Sequence, residues 1–221
     1  ASAARAQLDQ DPTDPSGGLV KLDAFRRRWK VLPSELQQSQ ISGRPGSGET
    51  WLTAWDFPFK GKETSSWMVG QLWCRWRGEF YLIDQVRGHH GFEAAKAILT
   101  AFVKRHPVAR KHLLEDAAIA APLHDSLSRE IPGLILEPVG GGVLVRTQAV
   151  EGLWASGSIV TPEDAPWMGG GDGFMQEHLD YTGSDADVND QVSSSSLALL
   201  HLSGIGQSSW LEKMKKVRAA A

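Results

Sequence analysis

Three things are scarce in this chain, and each scarcity excludes a class of protein. Among 221 residues Cys74 is the only cysteine, so neither an intramolecular disulfide nor a multi-cysteine zinc site can form within it. No apolar run reaches the roughly 18 residues that a membrane-spanning helix needs. Excess charge is lacking too, with 23 Lys and Arg against 26 Asp and Glu, a formal net charge of −3. That balance excludes a globally basic nucleic-acid binder and leaves local basic patches as the route to a polyanion. Residues 1–10 show no apolar signal-peptide core, so the expectation is a soluble, intracellular domain with no membrane partner.

What is present supports a folded core: 41% of residues are apolar and only 22% charged. Nine tryptophans, several of them within residues 51–76, suggest a well-packed sheet. The run Asp11-Pro12-Thr13-Asp14-Pro15-Ser16-Gly17-Gly18 is turn and linker chemistry. A basic run (residues 25–30) and a polar stretch to Gly48 come after it. Residues 1–48 are accordingly read as an approach segment, 49–205 as the main domain and 206–221 as a basic tail.

Residues 50–57, 67–76 and 78–86 are rich in aromatic and aliphatic side chains, and the separators Lys60-Gly61-Lys62 and Arg77-Gly78 are short and turn-like. The natural reading is an antiparallel meander, with Cys74 packed in its second strand. Residues 92–106 place apolar side chains at 92, 95, 98, 99, 102 and 103, the spacing of a helix face, and Pro107 ends it. A buried strand at 112–115, a helix at 119–131 closed by Pro132-Gly133, and a strand at 134–139 come next. The order βββαβαβ is that of a ribonuclease-H-like α/β fold, a mixed sheet flanked by helices. Further helices are expected near 146–155, 174–181 and 190–202, with an extended piece at 158–161.

Two motifs imitate ligand sites. Gly43-Arg44-Pro45-Gly46-Ser47-Gly48-Glu49-Thr50 has the spacing of a phosphate-binding loop, but Glu49 replaces the lysine and would repel phosphate. Asp185-Ala186-Asp187-Val188-Asn189-Asp190 imitates an EF-hand start, yet position six is Asp190 in place of glycine and position twelve is Ser196 in place of glutamate. No ATPase site and no EF-hand are expected. The seven histidines show no metal-ligand spacing, and no Ser-His-Asp arrangement can be placed.

The acids carry more. Asp56 ends the first strand of the meander, Glu115 and Asp116 end the strand at 112–115, and Asp190 opens a late helix. In a ribonuclease-H-like sheet the first and fourth strands are neighbours, which puts Asp56 beside Glu115, and a late helix can bring Asp190 to them. Gathered carboxylates repel one another, and hard divalent cations resolve that conflict. Two ions about 4 Å apart then suit in-line displacement at phosphorus. Each acid alone reads equally well as a turn or cap residue.

The series also resembles the C-terminal nuclease domain of the large terminase subunit of tailed bacteriophages, over roughly residues 7–203. The matching pieces are Trp55-Asp56-Phe57 with Lys60-Gly61-Lys62, the run from Tyr81 to Gly88, and Leu114-Glu115-Asp116. Pro138, Arg146, Glu151, Gly157, Pro162, Glu177 and Asn189-Asp190-Gln191-Val192 continue it. The resemblance implies an endonuclease that cuts concatemeric double-stranded viral DNA, with catalytic and metal-binding acids at Asp56, Glu115 and Asp190 and an auxiliary at Asp116. It implies two Mg²⁺ or Mn²⁺ ions, the terminase small subunit and the portal protein as partners, and a place in the host cytoplasm outside the mature virion. DNA contacts are expected from Lys60, Lys62, Arg87 and Arg146. At the last motif the sequence departs from the family, with Asn189 and Ser193 where acids are usual. That departure keeps in view a docking module that binds DNA or the portal without catalysis; the other rival is another nuclease of the same fold, such as a junction resolvase, which substrate preference would separate.

Overall fold

The computed structural model describes residues 17–57, 67–116, 120–138 and 142–205. A 3-10 turn (Leu22–Phe25) leads into strand β1 (Arg28–Trp29) and helix α1 (Ser34–Ser42). The meander β2 (Thr50–Asp56), β3 (Met68–Trp76) and β4 (Glu79–Gly88) comes next, then helix α2 (Phe92–Arg105), β5 (Lys111–Glu115), α3 (Ala120–Leu127) and β6 (Leu134–Glu137). Helix α4 (Gly142–Ala155), β7 (Ile159–Pro162), α5 (Phe174–Asp180) and α6 (Asp190–Ser203) complete the described chain. From β2 to β6 this is the βββαβαβ order expected from the sequence.

The strands form one mixed sheet in the order β1-β7-β4-β3-β2-β5-β6. Only β3 runs against its neighbours; every other pairing is parallel. The C-terminal ends of β2, β4, β5 and β6 therefore share one edge, the edge at which open α/β sheets place their ligands.

Strand alternation splits the apolar side chains between two cores. On one face Trp51, Trp55, Leu72 and Leu114 pack with Leu36 of α1, Leu99 and Phe102 of α2, and Leu123 of α3. Cys74 is buried in the same core. On the other, Leu52, Ala54, Trp73, Leu82 and Leu113 pack with Phe25, Val150 and Trp154 of α4, Phe174 of α5, and Leu197 to Leu199 of α6. Gly70 is needed at the first face, because it pairs with Trp55 across the sheet and a Cβ there would lie 2.2 Å from the indole.

The sequence boundary near residue 48 is not a break in packing. Val20, Phe25 and Leu36 are buried in these cores, and β1 extends the sheet by pairing with β7. Residues 17–48 therefore belong to the folded unit, while residues 1–16 and the basic tail lie outside the described residues. A two-residue strand leaves no periodicity in the sequence to read. The phosphate-loop mimic closes on itself: Glu49 accepts hydrogen bonds from the Gly46 N–H (2.9 Å) and the Trp51 indole (2.7 Å), and the chain continues into β2.

A bulge in β4 sets the facing of that strand's last residues. Leu72 pairs with Asp84 while the next residue, Trp73, pairs with Leu82, so Ile83 is an extra residue. Ile83 and Val86 both face the first core, and Gln85 and Arg87 are thereby turned to the second face. Without the bulge, strict alternation would point them the other way.

Candidate active site

Parallel pairing of β2 with β5 sets Trp55 opposite Leu114, so Asp56 and Glu115 come next in register at the shared edge. Adjacent strands lie about 4.8 Å apart, and both side chains follow the second face, where α6 packs. Pairing of β5 with β6 then sets Glu137 directly beside Glu115. The edge thus carries a row of three carboxylates on three neighbouring strands. On the other side of Asp56, its cross-strand partner Val69 pairs with Arg87 of β4.

Helix α6 lies across this face and is buried along residues 191–199. Four consecutive serines let so apolar a place accept it, each with its own partner. Ser193 donates to Glu115, Ser194 to the Ala54 carbonyl at 2.9 Å, and Ser195 to Gln71 Oε1 at 3.0 Å. Ser196 donates to the Ser193 carbonyl at 2.9 Å and accepts from Arg146 Nε at 3.3 Å.

The N-terminus of α6 is held by another helix. Asn189 makes no side-chain cap. Instead Glu177 of α5, 5% exposed, accepts the N–H groups of Gln191 (2.5 Å) and Val192 (3.2 Å) and the Gln191 side-chain amide (2.6 Å). A carboxylate at this point satisfies orphan donors and meets the positive end of the helix dipole. Gln191 continues into a buried amide chain with Gln85 (2.8 Å) and, beyond it, Gln71 (2.9 Å). Asp190, the first residue of α6, is thereby fixed in place, with a hydrogen bond from the Trp67 backbone and the charges of Arg87 and His89 nearby.

The electrostatics reflect this crowding. Burial first, and then the charges of Glu115 and Asp190, push the Asp56 carboxyl well above the usual range; Arg146 offsets part of this and Glu177 adds to it. Asp190 is raised by burial against the pull of Arg87. Glu137 and Glu177 are raised as well, each chiefly by burial. Among the described residues, no three His, Cys, Asp or Glu side chains gather closely enough to hold a metal by themselves. Yet the donor set fits a hard divalent cation: Asp56, Glu115 and Asp190 offer carboxylate oxygens that raise Asp56 in the absence of positive charge.

The expected DNA contacts fare differently. Lys60 and Lys62 lie outside the described residues. Arg146 is not on the surface: it is 2% exposed, and its Nη2 donates to Glu115 Oε2 and to Ser193 Oγ, both at 2.8 Å. Helix α4 begins at Gly142, ahead of the expected start at Arg146, and carries Arg146 under α6, where Glu115 draws the guanidinium inward. Arg87 is also largely enclosed, with 11% of its side chain exposed. It pairs with Glu177 at 3.2 Å, donates to the Asp172 carbonyl and lies 4.1 Å over the Trp67 ring. Asp116 is exposed, and its N–H donates to the Glu137 carbonyl at 3.0 Å. Asp187, part of the EF-hand mimic, organises a turn, accepting from the Thr182, Gly183 and Ser184 N–H groups and the Thr182 hydroxyl.

Sequence reading passed over Glu137 and did not assign Glu177 a role. The signal for Glu137 was its place at the end of a strand, one register step from Glu115. The cap made by Glu177 leaves no local signature, because donor and acceptor come from different helices.

No protein-family model matches the chain, and neither does any curated protein. Solved structures do. The large terminase of a thermophilic bacteriophage, in one of its crystal forms, aligns with 83% of this chain at 13% identity and a TM-score of 0.55. This chain spans 44% of that protein. The large terminase nuclease of thermophilic phage G20c with bound magnesium aligns over 84% of this chain and 95% of its own length, at 14% identity and a TM-score of 0.54. The nuclease domain of the Thermus phage P74-26 large terminase covers 85% and 94% at 15% identity and 0.51. At such identities the likeness establishes the fold: this chain has the ribonuclease-H-like fold of large terminase nuclease domains.

Proposed function

We propose that this chain is the nuclease part of a viral genome-packaging terminase, a metal-dependent endonuclease that cuts concatemeric double-stranded DNA. One observation carries the reading: on that fold, Asp56 and Glu115 stand side by side at the ends of β2 and β5, and Asp190 is fixed within their field by α6. The G20c nuclease with bound magnesium shares the fold, which supports Mg²⁺ or Mn²⁺ as the cofactor here. A divalent cation would polarise a phosphodiester and supply a nucleophilic water at neutral pH.

The chain's own residues do the rest. Asp56 and Asp190 would hold the cation, and Glu115, with Asp116 and Glu137 at the rim, would complete its acidic surroundings. Ser193 and Arg146 hold the Glu115 carboxylate in one orientation, and Glu177 anchors α6 so that Asp190 stays in place. Lys60 and Lys62, between Asp56 and β3, would meet the DNA backbone without reading its sequence. Double-stranded viral DNA in the host cytoplasm, the terminase small subunit and the portal protein are the partners this reading implies. Among the described residues no helix is long and apolar enough to cross a membrane.

A second reading, a docking module without catalysis, draws on Asn189 and Ser193 standing where the terminase pattern has acids. Plasmid cleavage with Mg²⁺, Mn²⁺ or EDTA, beside Asp56→Ala and Asp190→Ala, separates the two. The expected result is metal-dependent cutting that falls at least about 10²-fold in each variant, the scale for loss of one preorganised electrostatic group. Cutting that survives both substitutions would remove the assignment of the site. No cutting with either metal would favour the docking module.

A further inference from the structure

Glu115 already has a cation. The Arg146 guanidinium, 2% exposed, reaches it from α4 at 2.8 Å, shares Ser193 with it and is pinned at Nε by Ser196. Its Nη1 is buried without a hydrogen-bond partner among the described residues, and the charge it meets is that of Glu115. Ser193 is what makes this possible. Its hydroxyl touches Glu115, and an acid at that position would set a second carboxylate against Glu115 and call for a metal ion between them.

From this we infer that Arg146 is a built-in replacement for one of the two metal ions, and that the chain binds a single divalent cation, at Asp56 and Asp190. Arg146 acts through Glu115 and is a positioning residue; it holds Glu115 in one orientation without a second ion. The inference deepens the metal-nuclease reading and rests on it.

The test is the number of Mn²⁺ ions bound by the full chain, read by calorimetry and by the spin-coupled signal of an Mn²⁺ pair. The wild type is expected to bind one ion. The double variant Arg146→Gln/Ser193→Asp, checked for folding by circular dichroism, is expected to bind two and to show the pair signal. Two ions in the wild type, none, or one in the folded double variant would each overturn the inference. Single variants decide the matter if the double variant does not fold. Arg146→Gln should then tighten Mn²⁺ at least about tenfold, the scale of removing one close charge, and Arg146→Lys should leave it unchanged. Weaker binding in both would mean a purely structural role and overturn the inference. Plasmid cleavage in the same samples keeps the two readings apart. Cutting with two bound ions retains the nuclease and removes the role of Arg146, whereas one bound ion without cutting does the reverse.

Discussion

The two faces of the sheet are built from different materials. The face under α1, α2 and α3 is mostly aromatic and aliphatic, with Trp55 against Phe102 edge-on and against Phe57 in a stack. The face under α4, α5 and α6 has an apolar rim, but at its centre lie three glutamines, four serines, Glu177, Arg87 and Arg146. Apolar contacts are non-directional and tolerate small adjustments, whereas hydrogen bonds fix distance and angle. The first face is packed almost wholly by apolar contact, and the second gives up apolar area to hold α6, and so Asp190 and Glu115, in one place.

Three measurements bear on that division. The largest effect falls on the first face. Trp55→Ala should remove about 3–5 kcal/mol of unfolding free energy, read from urea denaturation, because the ring is fully buried. A loss below about 1 kcal/mol would break the contrast.

Next comes pH, to which buried histidines contribute on both faces, with His201 of α6 lowered as well. Burial lowers His112 on the first face and His178 on the second to about 4. The unfolded chain takes up these protons near pH 6.5 and the folded chain does not, so stability falls as pH drops from 6.5 towards 4. The full loss approaches roughly 3 kcal/mol for each residue. The second face adds the opposite slope, since the raised carboxyls of Asp56 and Glu177 favour the folded state as pH falls towards their unfolded values. Urea midpoints between about pH 4 and 7 should therefore decline less steeply in His112→Gln and more steeply in Asp56→Asn than in the parent. Equal slopes in all three would remove the electrostatic half of the comparison.

The smallest effect is on the cap. Glu177→Gln keeps the shape but sets an amide N–H₂ where Oε2 accepts from the Gln191 side chain, and should cost about 2 kcal/mol as those buried donors lose their acceptor. Because α6 positions Asp190, cleavage should weaken along with stability. A stability loss with unchanged cleavage would mean that Asp190 is held by Trp67 alone.

The sequence made part of this visible and hid part of it for physical reasons. Periodicity and breakers revealed β2 to β6 and the helices between them, because each is long enough to show its spacing. Strand order then implied that Asp56 and Glu115 meet. The β4 bulge is invisible in sequence, since one extra residue looks like ordinary alternation with a slip, yet it decides which way Gln85 and Arg87 face. Arg146 read as a basic surface residue because charge is usually solvated; only the packing of α4 beneath α6 shows it paired with Glu115. The helix over 190–202 was legible, but the partners that let its four serines be buried leave no local signal, because they come from β2, β3, β5 and α4.

The strand order also has a consequence for how the molecule comes into being. β1, near the start of the described chain, pairs only with β7, and the acids at the site are supplied by β2, β5 and the last helix. Nearly all of the described residues must be synthesised before the sheet can close and α6 can be seated. Contacts so distant along the chain make for slow folding, on a scale of milliseconds to seconds for sheet-rich topologies. A nascent chain would carry Asp56 and Glu115 from an early stage while lacking Asp190 and the helix that orders them. The full set of acids is thus assembled only after α6 has been made and seated.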